Sequence, residues 1–226
     1  MLEGIFSWNR RGAVTDGSYI PPRCPSDKLY LSMGIAAVLW FVMFNPWLGL
    51  NYWFWSLMAA SSVILLLLTF DYGSLKLAFD WKQIGLGVAL AAVLWGIFWV
   101  GDHISALIFS FSDTQVGNIY AMGDGRSAGI LAAQLLILTG PAEEMFWRGF
   151  VQEQLGQRTG RFTAMLLTLA VYTLIHIWSF NFMLIMAALV AGAVWGLLYW
   201  LRPQWLPALV ISHALWAAAV FVIFPI

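Results

Sequence analysis

Residues 182–201 read FMLIMAALVAGAVWGLLYWL, twenty consecutive residues without a charged side chain. An α-helix rises about 1.5 Å per residue, so a run of this length matches the roughly 30 Å hydrocarbon core of a bilayer. The whole chain has the same character, because 62% of its 226 residues are hydrophobic and only 10% are charged. A water-soluble domain of this size cannot hide so much apolar surface. The composition therefore excludes a soluble globular protein and a disordered one, and the stretch predicts a membrane-spanning helix.

Six other apolar runs also predict spanning helices, so the expected fold is an all-α, polytopic transmembrane helix bundle with seven spans. The run Ile104–Phe111 is too short to span and is predicted to be interfacial or re-entrant; an eighth span would arise if it crossed the bilayer. The fourth span is expected to be one helix with a kink at Gly140-Pro141. The predicted spans are Leu29–Phe44, Tyr52–Phe70, Ile84–Val100, Ser127–Leu155, Phe162–Trp178, Phe182–Leu201 and Leu206–Phe224.

The distribution of basic residues predicts the orientation. If the N-terminus is cytoplasmic, nine Lys and Arg side chains lie inside and only Arg126 lies outside. Residues 1–28 are then a mobile cytoplasmic arm and residues 29–226 a transmembrane domain in a multi-pass integral membrane protein. Cys24 lies in the arm and has no assigned role. The zero net charge argues against nucleic acid as a partner. The nine inside residues are Arg10, Arg11, Arg23, Lys28, Lys76, Lys82, Arg158, Arg161 and Arg202.

A few ionisable side chains lie within the predicted spans, where they are costly and usually mark function. Counted along the helices, Glu143, His176 and His213 fall at a similar depth, so a contact across three helices is expected. His103 is predicted to lie in a loop just after the third span. The ionisable residues within spans are Glu143, Glu144 and Arg148 in the fourth, His176 in the fifth and His213 in the seventh.

The spacing of these residues suggests their relations. Glu144 and Arg148 are four apart with the acid first, the favourable order for an ion pair within a helix. Glu143 points about 100° away from Glu144 and has no cation nearby in the sequence, which makes it a candidate general base. Tyr172 and His176 are also four apart and share a helix face.

One carboxylate and two imidazoles around an apolar pocket suggest hydrolysis. The carboxylate can take a proton from water, one imidazole can hold that water, and the other can donate to the oxyanion. The same set, Glu143, His176 and His213, could instead bind Zn²⁺. We favour no cofactor, although the residues themselves leave both schemes open.

Three motifs resemble those of the CPBP family, the intramembrane proteases related to CAAX prenyl endopeptidases and bacteriocin-resistance proteins. EEMFWR at 143–148 resembles the family's E-E-x-x-x-R motif, and Tyr172-x-x-x-His176 resembles its second motif, in which Phe usually precedes the His. His213 matches the His of the third motif, H-x-x-x-N, but Ala217 stands where the family has Asn. The resemblance covers about residues 131–220.

The resemblance implies an intramembrane endopeptidase, of glutamic or metallo type, that cleaves a membrane-associated protein or peptide. It implies that Glu143 and His176 bind the attacking water and that His213 supports the oxyanion. Glu144 with Arg148 would organise the site. Ala217 removes one expected oxyanion donor, for which Ser212 or a backbone N–H could substitute.

Two further classes of function compete with a protease. Ala217 is the best support for a non-catalytic immunity or scaffold protein of the same fold. A proton-coupled transporter could use Glu and His as a relay, but the sequence shows no inverted repeat. Gly192 and Gly196 form a G-x-x-x-G pattern that predicts close helix packing.

Overall fold

The computed structural model describes residues 13–15, 18–20, 22–70, 72 and 80–226 of the chain. Two three-residue strands, β1 (Ala13–Thr15) and β2 (Ser18–Ile20), pair antiparallel near the N-terminus. The helices follow: α1 (Ser26–Phe44), α2 (Phe54–Thr69), α3 (Trp81–Ile108), α4 (Ser112–Ala121), α5 (128–159), α6 (Arg161–Leu174), α7 (Phe182–Leu201) and α8 (Leu206–Ala218).

Six helical stretches of the described residues are long and apolar enough to cross a membrane. The chain is therefore a polytopic helical membrane protein, as predicted. The count of seven spans is not established, because α5, the remaining predicted span, is not among the six. The six stretches are Ser26–Phe44, Asn51–Thr69, Trp81–Ile108, Arg161–Ser179, Phe182–Leu201 and Pro203–Ile223.

The end of the third span differs from the prediction. Helix α3 continues past Val100 to Ile108, so Ile104–Phe111 is not a separate segment and His103 lies in a helix, not in a loop. The polar residues at 102–103 suggested an end, but no proline stops the helix there. The exposed His103 donates from Nδ1 to the Trp99 carbonyl at 2.8 Å.

The last residues of the predicted N-terminal arm also differ from the prediction. Helix α1 begins at Ser26, and Cys24 is only 2% exposed. The backbone N–H of Cys24 donates to Oε1 of Gln154 at 2.7 Å, and the Gln154 amide donates to the Pro22 carbonyl at 2.9 Å. The backbone of Pro22 and Cys24, within the predicted arm, is therefore hydrogen-bonded to α5. Arg10, Arg11 and Lys76 lie outside the described residues.

Helix α5 is continuous, as predicted, but it alternates between two helical forms. The α-helical segments Ala128–Gln134, Gly140–Phe146 and Glu153–Thr159 are joined by π-helical turns at Leu135–Thr139 and Trp147–Gln152. The first π turn ends directly before the Gly-Pro pair where a kink was expected. Proline lacks an N–H, so it requires a local change in the hydrogen-bond ladder. Such π turns are frequent at functional sites.

Glycines allow the closest helix contacts. A Cβ atom on Gly140 would lie 2.7 Å from Cα of Ala214, so α5 and α8 touch backbone to backbone. A Cβ on Gly192 would lie 2.9 Å from Cδ1 of Tyr172, which confirms the close packing predicted at this position. These two contacts bring α8 against α5, which carries the acidic motif, and α7 against α6, which carries Tyr172.

Replacement of Gly140 by Ala should destabilise the protein, because the new methyl group meets backbone atoms that cannot rotate away. Overpacking of this kind typically costs about 1–3 kcal/mol. Gly96→Ala in α3 is the matched control, since a Cβ there meets nothing within 4 Å. Thermal unfolding in detergent should show a lower Tm for Gly140→Ala and little change for Gly96→Ala. Equal Tm values for the two variants would contradict the tight α5–α8 contact.

Candidate active site

A cavity of about 400 Å³ lies among the helices, and its wall is mostly apolar. Glu143 from α5, Tyr172 from α6 and His213 from α8 all line it, together with His176. His176 sits in the 3₁₀ turn Ile175–Ser179 that follows α6. The carboxyl group and the two imidazoles that were predicted to converge thus face one space. Each of the three is buried, with 5–8% of its surface exposed.

Glu144 is the centre of a buried charged network. Its Oε1 accepts from Nη1 of Arg148 at 2.8 Å, which confirms the predicted ion pair, and also pairs with Nδ1 of His213 at 2.9 Å. An ionised carboxylate only accepts, so His213 carries a proton on Nδ1 and donates it. Nη2 of Arg148 donates to the Gly192 carbonyl at 3.0 Å. This network joins α5 to both α7 and α8.

The rings of the site restrict the orientation of the charged groups. The His213 imidazole is stacked on Trp195, with ring centroids 4.1 Å apart and an interplanar angle of 14°. The Arg148 guanidinium lies 4.9 Å from the Tyr172 ring centroid and 5.5 Å from that of Trp195. Aromatic faces attract such a cation, so they hold it over the site.

Glu143 takes part in none of the ion pairs among the described residues, in line with its predicted isolation from a cation. Its Oε2 accepts a hydrogen bond from the Tyr172 hydroxyl at 3.1 Å. The hydroxyl that distinguishes Tyr172 from the usual Phe of the second motif donates to the candidate base, a contact that the sequence did not predict. The spacing Tyr172-x-x-x-His176 was a usable signal, because it places both side chains on one face.

Both ring nitrogens of His176 are bonded within the protein. Nδ1 donates to the Tyr172 carbonyl at 2.7 Å, and Nε2 accepts from the indole N–H of Trp40 at 3.1 Å. Because an indole N–H only donates and a carbonyl only accepts, these bonds fix the Nδ1–H tautomer. Trp40 lies in α1, and sequence reasoning missed it, since no spacing relates it to a residue 136 positions away.

The third motif lacks a side-chain donor at the expected position. Ala217 lines the cavity and supplies only a methyl group. Ser212, a possible substitute, is fully buried away from the wall, and its Oγ accepts from the Trp195 indole N–H at 3.2 Å. Ser212 therefore does not replace the missing Asn in this arrangement.

The set Glu143, His176 and His213 does not fit a zinc site as it is arranged. No group of three His, Cys, Asp or Glu side chains in the described part of the chain could hold a metal ion. Both ring nitrogens of His176 are already bonded, so this imidazole has no free lone pair for a metal in this arrangement, whereas the bond of His213 Nδ1 to Glu144 leaves its Nε2 open. We therefore derive no chemical step through a metal.

The described helices that are long and apolar enough to span a membrane surround a cavity lined by carboxyl and imidazole groups. Residues 125–219 match the family model described as Type II CAAX prenyl endopeptidase Rce1-like. The match covers less than half of the 226 residues but includes all five predicted site residues, and it makes this part of the chain similar to CAAX-type proteases of the CPBP family. Neither the curated proteins nor the solved structures that were searched gave a match.

The family and the fold together support an intramembrane CAAX-type protease. The apolar helices fit a lipid bilayer as the surroundings of the protein. Members of a family of endopeptidases act on peptide bonds, so a peptide substrate fits the site as well.

Replacement of Tyr172 by Phe should lower the rate of peptide cleavage about tenfold without unfolding the protein. The hydrogen bond that orients Glu143 is lost, and bonds to charged groups are worth about 1.5–3 kcal/mol. Tyr199→Phe is the matched control, because its hydroxyl donates to Oε2 of Glu153 at 3.0 Å and neither residue lines the cavity. Equal cleavage rates for the two variants, measured with a fluorogenic peptide, would mean that the Tyr172 hydroxyl has no part in orienting Glu143.

Proposed function

We propose that the chain is an intramembrane endopeptidase in which Glu143 activates a water molecule for attack on a peptide bond. The observation that carries this proposal is the position of Glu143. It is a buried carboxylate on the cavity wall, without an ion-pair partner among the described residues and oriented by Tyr172. A carboxylate in this setting can accept a proton from water at the moment of attack.

The first step is the formation of the C–O bond. Water attacks the scissile carbonyl carbon while one of its protons passes to Glu143. Oε2 of Glu143 is held by Tyr172, which leaves Oε1 as the proton acceptor. His176 can position the water through Nε2, provided that the indole of Trp40 gives up its bond to that nitrogen. Attack then turns the carbonyl oxygen into an oxyanion.

His213 is suited to stabilise that oxyanion. Glu144 holds Nδ1, and the stack on Trp195 fixes the ring plane, so Nε2 can donate to the negative oxygen when it carries a proton. Glu144 and Arg148 act as positioning residues, since they reach the reacting atoms only through His213. When the C–N bond breaks, the proton on Glu143 passes to the leaving amine.

We also propose that the N-terminus is cytoplasmic and that the substrate is a membrane-associated protein or peptide. The charge bias of the connecting segments supports this orientation. Bilayer lipid is then the surrounding partner, and nucleic acid has no place in the scheme. The family description suggests a prenylated CAAX-type peptide as one substrate to test.

Replacement of Glu143 by Gln should abolish cleavage, with a loss of at least about a hundredfold in kcat, because the amide cannot accept the proton. The assay uses protein in proteoliposomes and a panel of fluorogenic peptides, one farnesylated with a CAAX-type end and one an unmodified spanning segment. His176→Ala should also lose activity. Glu153→Gln is the control, because Glu153 does not line the cavity.

Three outcomes would contradict parts of the proposal. Full activity of Glu143→Gln would exclude Glu143 as the base. Failure of the wild type to cleave any peptide in the panel would favour the non-catalytic immunity or scaffold reading, which Ala217 supports. Loss of activity with a chelator and recovery with Zn²⁺ would replace the metal-free scheme by a zinc protease.

Replacement of Ala217 by Asn should increase kcat about tenfold or more with little change in KM. An amide at this position restores a donor on the cavity wall, and one oxyanion donor is worth about a hundredfold in other hydrolases. Ala187→Asn is the matched control, because it adds the same group to the wall from α7. An unchanged kcat in Ala217→Asn would show that the oxyanion does not form near position 217.

A further inference from the structure

The bundle has one end at which the basic residues of several helices gather, which we call the basic end. Arg158 at the end of α5 donates to the Cys24 carbonyl just before α1. The Gln83 amide at the start of α3 donates to the Gln204 carbonyl just before α8 at 3.1 Å. The described basic residues at this end are Arg23, Lys28, Lys82, Arg158, Arg161 and Arg202.

The opposite end is closed in part by α4, and we call it the α4 end. Asn181, just before α7, donates from its amide to the Gln115 carbonyl of α4 at 2.8 Å. The Trp55 indole of α2 donates to the Met122 carbonyl at 2.7 Å. Three acidic residues lie near this end. Among the described residues, Arg126 is the one Lys or Arg that lies there. The acids are Asp102, Asp113 and Asp124.

The cavity lies in the half of the bundle at the α4 end. Its wall uses the last residues of α1, the second half of α3, the first half of α7 and the segment after α8. The half toward the basic end is filled instead, since Gln152 bonds to the Gly196 carbonyl at 2.9 Å and Gln154 is completely buried. Outside α5 and α6, the wall residues are His176 and residues within 40–58, 97–109, 116–120, 182–191 and 213–226.

The charge of the wall limits the substrates that it can hold. Asp102 and Glu143 both line the cavity, and no Lys or Arg of the described residues does. Burial raises the pKa of the Tyr120 hydroxyl, and the negative charge of the nearby Asp102 raises it further. A free C-terminal carboxylate near the scissile bond would meet the like charge of Asp102 and Glu143, and the described wall offers it no guanidinium or ammonium. His213, which also lines the wall, is already paired with Glu144.

We propose that substrate enters from the α4 end on the non-cytoplasmic face, and that it is a peptide segment presented there without a free carboxylate beside the scissile bond. This rests on the proposed function and on its cytoplasmic N-terminus. The substrate class is then a membrane-anchored segment of an exported protein. A prenylated tail that ends in a carboxylate in the cytoplasm fits the site poorly in both position and charge.

Access can be measured without any substrate, by cysteine labelling in a Cys24→Ala background. Gly101→Cys and Ala187→Cys test the wall, because Gly101 is exposed and Ala187 lies deeper. Thr159→Cys, exposed at the basic end, is the control. An impermeant maleimide should label at least one wall cysteine in right-side-out vesicles and Thr159→Cys only in inside-out vesicles. The proposal is overturned if both wall cysteines are unreactive in right-side-out vesicles or react only in inside-out ones.

Substrate charge is tested with whichever panel peptide is cleaved, prepared with a C-terminal carboxylate three residues after the scissile bond or with an amide there. The amide form should have a kcat/KM about tenfold higher, and Asp102→Asn should reduce this ratio. A carboxylate form that is cleaved equally well or better overturns the substrate class. Absence of cleavage of every peptide contradicts the proposed function, while the labelling result still decides the side of access.

Discussion

One carboxylate oxygen, Oε1 of Glu144, holds the site together. It accepts from Arg148 on its own helix and from His213 on α8, so a single negative charge positions a guanidinium and an imidazole. In a bilayer, an unpaired charge is expensive, and breaking a buried pair typically costs about 3–5 kcal/mol. The backbone contact at Gly140 and Ala214 keeps the two helices close enough for this arrangement. The position of His213 over the cavity therefore depends on residues that need not touch substrate.

Much of this arrangement could be predicted from the sequence because it is periodic. Apolar runs of about twenty residues indicated most of the spans, and the i,i+4 spacing indicated the pair Glu144–Arg148. The end of α3 was predicted too early, since polar residues were taken as a boundary, although a helix can continue into the membrane interface with polar side chains. Helix α4 contains few apolar residues, so the search for apolar runs did not predict it.

The contacts between distant parts of the chain could not be predicted in this way. Trp40 is one of fourteen tryptophans, and nothing in its local sequence marks it as the partner of His176. The burial of Cys24 depends on Gln154, which stands near the far end of a helix whose own pattern says nothing about residues before α1. The role of Tyr172 was visible in its spacing, but the contact of its hydroxyl with Glu143 required the relative rotation of α5 and α6.

The bond from Trp40 to His176 also has a consequence for how the molecule is made. Trp40 lies in α1 and His213 in α8, so the groups around the cavity come from helices that are far apart in the chain and are made at different times. In the proposed mechanism the site is complete only when α8 packs against α5, because His213 reaches Glu144 from α8. Insertion of α1 to α7 alone would therefore leave the proposed site without one of its two imidazoles.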